Sequence, residues 1–404
     1  MIFNSHFSKL KSWYSELHEK YLDDSYKRRC SIGLIKFHLI KKLFGVKYAF
    51  FDLHPIHYGF SKPYIDNLTT ETNVILVVSS KNHPALSQKN RNLFVILIEN
   101  INWFFQADLR IRNLLTAASH IHESSRPLGT NLIHIYHSMV SMHVVYGDDA
   151  FDSYTHFFAC GPHHVKEIDA ICKLRKLKKP TVFEVGYPKI DALAEQYDQY
   201  LKDRDSRGSL SQDDCTTISF SPSWHEDNLL KAHAEEIVRT IFSIKYVKKL
   251  FIRPHPLTFD HDEKTMDTLK ALALEFDGLT IEDSRTSNQS FFESDFLISD
   301  WSGVAFEYAF ATERPVLFID SPRKINTKCW KEYPLPSIED EARSIVGTVI
   351  PNHLAIEEGI EALKAPGKDF WRKKIAVARL NYLFNFKNSA KVGAQILLTD
   401  QEFR

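Results

Sequence analysis

The stretch Ser294–Asp320, SDFLISDWSGVAFEYAFATERPVLFID, decides how this chain is read. Two apolar runs, FLIS (296–299) and PVLFID (315–320), have the β-branched and aromatic content of buried strands. Between them SDWSG passes into a helix-like segment. A strand, a short polar loop, a helix and a second strand make one βαβ unit of a parallel sheet. In open parallel sheets, ligands bind beyond the carboxyl ends of the strands, where loops enter helix N-termini.

The same alternation extends in both directions. Strand-like runs occur at 46–54 (VKYAFFDLH), 73–80, 92–99, 131–138 (NLIHIYHS), 156–161 and 181–188. The tract 195–214, EQYDQYLKDRDSRGSLSQDD, is then polar and poor in bulky apolar residues, as expected of a surface connection. Beyond it strand-like runs resume at 216–224, 249–257, 278–283, 295–300 and 315–320. With 404 residues the chain exceeds one ordinary core. The pattern predicts an α/β protein of two Rossmann-like domains facing across a cleft, residues 1–194 and 215–404, with the boundary near 190–215. A helical segment at 370–386 (FWRKKIAVARLNYLFNF) is expected to pack back on the first domain.

Composition excludes several classes. Lys+Arg and Asp+Glu each number 51, so the formal charge is +0 and no nucleic-acid partner is expected. Cys30, Cys160, Cys172, Cys215 and Cys329 are odd in number and lack CxxC spacing, which suits reduced thiols and a cytoplasmic location. The N-terminus carries no apolar signal region, and no apolar run approaches the ~20 residues needed to cross a bilayer. Phe3, Phe7, Leu10, Trp13, Tyr14, Leu17 and Tyr21 nevertheless recur at helical spacing among lysines. Residues 1–45 are therefore expected to make peripheral contact with the inner face of the cytoplasmic membrane; a helix docked on its own domain is the alternative.

Three loops of the second half carry chemistry, and the carboxyl-end rule brings them together: FSPSW after one strand, RPHP after another, SDWSG after a third. Ser299, Ser302 and Gly303 at a helix start suit a phosphate, although a serine there also serves as an N-cap. Glu307, one turn further on, is in reach of a ribose. Arg253 and His255, two residues apart in an extended segment, suit a departing phosphate. Ser221, Ser223, Trp224 and Asp300 complete the donor-side set. On the first domain, His54, His57 and Tyr58 follow the first strand, where an acceptor is expected, and His137 ends another. The pairs His163–His164 and Asp148–Asp149 lack the spacing of a closed metal site. No metal ligands are assigned and no cofactor is required, but magnesium bridging donor phosphates remains compatible with the sequence. No GxSxG elbow, GxGxxG fingerprint or Walker loop is present.

The ordered series GYPKIDAL (186–193), FSPSW (220–224), RPHP (253–256) and SDWSGVAFEYAFATERPVLFID (299–320) resembles the CDP-glycerol glycerophosphotransferases of teichoic-acid and capsule polymer synthesis. The resemblance covers roughly residues 130–320. It implies a GT-B glycosyltransferase architecture with the donor nucleotide on the C-terminal domain. The implied reaction is attack of an acceptor hydroxyl on CDP-glycerol with release of CMP. The family's Trp-His-Gly element is matched by Tyr136-His137-Ser138, and the lysine usual a few residues later is absent. His137 is thereby the expected base, with His255 stabilising the leaving group. The expected partners are a CDP-activated donor and a polymer or lipid-linked glycan acceptor. A glycosyltransferase using a CMP- or UDP-activated sugar, and a non-catalytic nucleotide- or glycan-binding relative, are the alternative readings.

Overall fold

The structure is a computed structural model that describes residues 25–121, 127, 129–206, 215–224 and 228–403. The amphipathic pattern from Phe3 to Tyr21 lies outside these residues.

The strand-like runs form two wholly parallel sheets. The first contains β1 (Tyr48–Asp52), β2 (Val74–Val78), β3 (Leu93–Leu97), β4 (Asn113–Thr116), β5 (Asn131–Ile135), β6 (His156–Ala159) and β7 (Thr181–Glu184), in the order β3-β2-β1-β4-β5-β6-β7. The second contains β8 (Thr216–Phe220), β9 (Val247–Ile252), β10 (Leu279–Ile281), β11 (Phe296–Ser299), β12 (Val316–Ile319) and β13 (Gly347–Ile350), in the order β10-β9-β8-β11-β12-β13. Helices cover both faces of each sheet, so the central strands are buried on both sides. This is why β2 and β12 read as unbroken apolar runs, and β1 and β11 as runs polar only at their last residue, whereas β4 (NLLT) and β13 (GTVI) lack that signature and were not among the strand-like runs of the sequence. Both orders reverse beside the first strand, between β1 and β4 and between β8 and β11. These switch points open the crevices in which α/β sheets hold ligands.

The helix Ser25–Phe44 buries Cys30, Leu34, Ile35 and Phe37 and packs on β3. Gly33 lets the helix close on the strand edge, where a Cβ would meet the Leu97 carbonyl and the Ile98 side chain. The apolar face of this segment is thus engaged with its own domain. No helix among the described residues is long and apolar enough to cross a membrane.

Two features tie the sheets together. The helix Pro188–Ser206 packs along the helix Val304–Thr312. Separately, the chain returns from the second sheet to the first after the helix Lys368–Tyr382. Phe384 N donates to the Cys160 carbonyl (2.9 Å), and Asp191 accepts from the amides of Lys387 (2.7 Å) and Ser389 (2.8 Å). Gly186, at φ +102°, has the Phe384 carbonyl and Ser389 where a side chain would stand. The helix Ser389–Thr399 then packs on Tyr58–Leu68, and Tyr48 Oη donates to the Leu397 carbonyl at 2.6 Å. These contacts explain the glycine and the aspartate of GYPKIDAL.

Candidate active site between the two sheets

At the switch point of the second sheet, the loops after β8 and β11 are locked to each other. Asp300 accepts from Ser223 N and Ser223 Oγ, both at 2.8 Å, and Ser299 Oγ donates to the Ser221 carbonyl at 2.7 Å. Ser299 and Asp300 are fully buried, so they set the shape of these loops. Trp224 lies over His255, with ring centroids 6.2 Å apart and 24° between planes. The helix Val304–Thr312 begins with Gly303 at its N-cap and no capping side chain. The N-cap reading of Ser302 is therefore not met, and its hydroxyl remains at the cleft beside an uncapped helix start.

Gly303 faces the other domain. A Cβ there would collide with Ser138 Oγ and Val140, so the residue that stands in the glycine position of the Trp-His-Gly element is accommodated by a glycine opposite it. Tyr136 fills the first position of that element from within the core, stacked on His164 with centroids 3.9 Å apart.

His255 begins the helix Pro256–His261 and caps it with Nδ1, which accepts from Leu257 N at 3.2 Å. That bond requires a bare Nδ1 and leaves the proton of the neutral ring on Nε2. Desolvation by the cleft, followed by the Lys324 and Lys189 cations, pulls the pKa down to about 4, so the ring is neutral at pH 7. His137 has the opposite tautomer. Its Nδ1 donates to the Ala117 carbonyl at 2.8 Å, so Nε2 is bare and accepts from Tyr146 Oη at 3.2 Å. Burial is the main cause holding its pKa below the usual histidine value; the Ala117 bond opposes the shift, and Lys189 and Lys324 add to it. One imidazole thus presents a lone pair and the other an N–H.

His57 stacks on His137 (centroids 5.9 Å, 14°) and stands edge-on to His54 (5.5 Å). Burial, with His137, His54 and His83 nearby, lowers the His57 pKa to about 3. The third acceptor-side candidate, Tyr58, is buried with its ring edge-on to His83. It follows the first strand as expected but belongs to the core.

Two further placements differ from the sequence reading. Arg253 does not share a face with His255: its side chain is buried, while that of His255 is exposed at the start of the next helix. A buried guanidinium also needs counter-charge. Arg253 turns inward to an ion pair with Glu282, hydrogen bonds to Ser287 O (3.0 Å) and Asn288 Oδ1 (2.8 Å), and the face of Phe291. Glu307 is buried with both oxygens engaged across the interface, accepting from Tyr187 Oη (3.0 Å) and pairing with Lys189 Nζ (2.7 Å). Its carboxylate orients Lys189 rather than standing open to a ribose.

Lys189 and Lys324 escaped the sequence reading. Lys189 lies inside GYPKIDAL and extends over Phe60, 5.3 Å from the ring centre. Lys324 lies in the loop after β12, at the carboxyl end of that strand, where the carboxyl-end rule places ligand contacts. Its loop is held by Trp301 Nε1, which donates to the Ser321 carbonyl (2.8 Å), and by Arg323, which packs on the Trp301 ring and pairs with Asp340 (2.9 Å). Burial lowers the Lys324 pKa, with Asp300 opposing the shift. Among the described residues its ammonium has no ion-pair partner within salt-bridge distance. A half-buried cation with no ion-pair partner among the described residues, close enough to His255 and His137 to lower their pKa values, is a candidate anion-binding group.

The buried neutral histidines have a measurable consequence. His57, His134, His137, His163 and His164 all have pKa values lowered first by burial. Below pH ~6.5 the unfolded chain takes up protons that the fold refuses, so stability is fully present above that pH and is lost toward the folded-state values. Each such group removes up to about 1.4 kcal/mol per pH unit in that window. Tm is expected to be flat from pH 7 to 8 and to fall steeply from pH 6.5 to 5. An unchanged Tm at pH 5 would show that these rings are protonated in the fold.

A pair of parallel sheets, each with its switch-point loops after the first strand, is the arrangement of GT-B proteins. The family model for CDP-glycerol:poly(glycerophosphate) glycerophosphotransferase matches residues 62–324, and the chain belongs to that family of transferases. No curated protein matches it in sequence. Solved structures with the same fold include the wall teichoic acid polymerase TagF, at 14% identity and TM-score 0.60, covering 95% of this chain and 97% of that one. A putative UDP-N-acetylglucosamine 2-epimerase from Listeria monocytogenes aligns at 13% identity and TM-score 0.58, covering 89% and 98% respectively. A glycosyltransferase from Rickettsia africae aligns at 11% identity and TM-score 0.54, covering 88% and 99%.

Proposed function

We propose that this chain moves glycerol phosphate from CDP-glycerol to a hydroxyl of a polymer acceptor and releases CMP. The observation that carries the reading is the pair of opposite histidine tautomers facing one cleft that holds an unpaired cation. Acyl and sugar transfers do not account for this family membership, and phosphoryl transfer needs these parts: a base for the attacking hydroxyl and donors around the leaving phosphate.

In this reading the acceptor hydroxyl takes the place of Tyr146 Oη at His137 Nε2, which receives its proton as the oxygen bonds to the phosphorus nearest the glycerol. The bond from that phosphorus to the CMP oxygen breaks. His255 Nε2–H and Lys324 stabilise the charge gathering on CMP, and Lys189, held by Glu307, balances the transferred phosphoryl group. The uncapped helix start at Ser302–Gly303 lies toward the same phosphates. Asp300 is close enough to Lys324 to oppose the lowering of its pKa, and both its oxygens already accept from Ser223. A magnesium ion would therefore be held mainly by the donor's own phosphates.

His137→Ala is expected to abolish transfer, a loss of about 100-fold or more, with CMP affinity unchanged. Transfer assayed with CDP-glycerol and a glycerol phosphate oligomer, together with calorimetry using CMP, tests this. Wild-type turnover in the variant would remove His137 as base. A Tm raised by UDP-sugars but not by CDP-glycerol or CMP would overturn the donor assignment.

A further inference from the structure

In the second domain, three side chains separated in sequence converge on one point. His233 Nδ1 lies 3.1 Å from Glu236 Oε2, and His353 Nε2 lies 2.8 Å from the same oxygen. The three ligand atoms all fall within 4.8 Å of one another. The two imidazoles are stacked, with centroids 4.1 Å apart and 26° between planes, so their nitrogen edges address the carboxylate side by side. We propose that His233, Glu236 and His353 form a binding site for a divalent transition-metal ion, with zinc the best fit.

Several observations converge on this assignment. A tetrahedral zinc ion with ligand bonds of ~2.0–2.2 Å places its ligand atoms roughly 3.3 Å apart. The separations from Glu236 Oε2, 3.1 and 2.8 Å, are slightly shorter and the third lies within 4.8 Å, so an ion enters by spreading the set a little. The backbone is also shaped for it. The helix Leu229–Ser243 breaks at His233, which takes φ −139° and ψ 19° and leaves the helical path. Glu236 follows three residues later on the resumed helix. His353 arrives from the turn after β13 and is only 12% exposed, a fixed ligand, whereas Glu236 is 62% exposed and leaves a solvent side for entry and for a water ligand. The chemistry of the set, two imidazoles and one carboxylate, suits zinc or its first-row neighbours and not magnesium or calcium, which take oxygen ligands.

The ion would also do mechanical work. His233 lies four residues after the N-terminus of a helix that continues the loop from β8, the loop that carries Ser221, Ser223 and Trp224. His353 begins the segment after β13, three strands across the sheet from β8. Binding would staple the donor-side loop to the sheet's far edge. In the metal-free state each ring nitrogen that approaches Glu236 Oε2 carries a proton. Loading therefore requires each neutral ring to move that proton to its other nitrogen, and because a protonated imidazole cannot ligate, binding weakens as pH falls.

The test uses the full chain stripped with a chelator and titrated with zinc sulfate. Tm is expected to rise by about 3–8 °C at 100-fold excess over Kd, saturating at one ion per chain by calorimetry. His353→Ala and Glu236→Gln are each expected to keep the stripped Tm within a few degrees and to lose the zinc-dependent rise. Cobalt(II) is expected to give intense visible absorption of a four- or five-coordinate ion in the wild type and not in either variant. No rise in wild-type Tm up to 100-fold molar excess of zinc, or an equal rise in both variants, would overturn the site. Because neither readout requires turnover, the result stands apart from the transferase assignment.

Discussion

Replacing His255 by alanine is expected to cut turnover by about 100-fold or more while leaving affinity for the CDP donor within a few-fold. The reasoning rests on its protonation. With Nδ1 committed to the Leu257 amide and the ring neutral, His255 offers one N–H, and an N–H gains most when charge accumulates on the leaving phosphate oxygen. Ground-state donor binding draws on many other contacts, among them Lys324 and Lys189, so its loss there is small. His255→Asn, which can also accept the Leu257 amide, is expected to restore the helix cap but not the rate. Stability and turnover thereby separate. A His255→Ala enzyme with unchanged kcat, or one whose loss lies wholly in KM, would refute the assigned role.

The second large effect is on stability. Arg253→Ala leaves Glu282 buried beside Ser287 and Ser290 with its ion pair gone, and removing one member of a buried pair typically costs about 3–5 kcal/mol. Urea unfolding is expected to show that loss in Arg253→Ala. The double variant Arg253→Ala, Glu282→Ala is expected to recover part of it, since the stranded carboxylate is then removed. If Arg253 instead contacts the donor phosphate, the single variant will unfold like the wild type and lose CMP affinity. The two outcomes distinguish a guanidinium that supports the loop from one that holds the ligand.

The sheet pair was readable because parallel strands buried on both faces announce themselves as continuous apolar runs, and β11 with β12 framed the most informative loop. The donor-side loops were readable for a related reason, since the carboxyl-end rule needs only the order of strands and loops. Side-chain direction was not. Arg253 and Glu307 look like free polar groups in sequence, but the partners that consume them, Glu282 for one and Tyr187 with Lys189 for the other, are distant in the chain and became visible only after folding. Tautomers are still less accessible. The opposite proton positions of His137 and His255 are set by a carbonyl and an amide whose location depends on loop geometry. The converging His233, Glu236 and His353 were hidden for the same reason, with Glu236 and its second histidine 117 positions apart.

The return of the chain to the first domain has a kinematic consequence. Two protein segments cross between the sheets, one following the helix Pro188–Ser206 and the other running through Phe384–Ser389, and the second is clamped against Gly186 and Asp191. A body held by one tether swivels in any direction, whereas one held at two separated points turns only about the line joining them. If the two halves rotate against each other, the line joining the two crossings is the expected hinge axis, and the separation of His137 from His255 is then expected to follow that one angle.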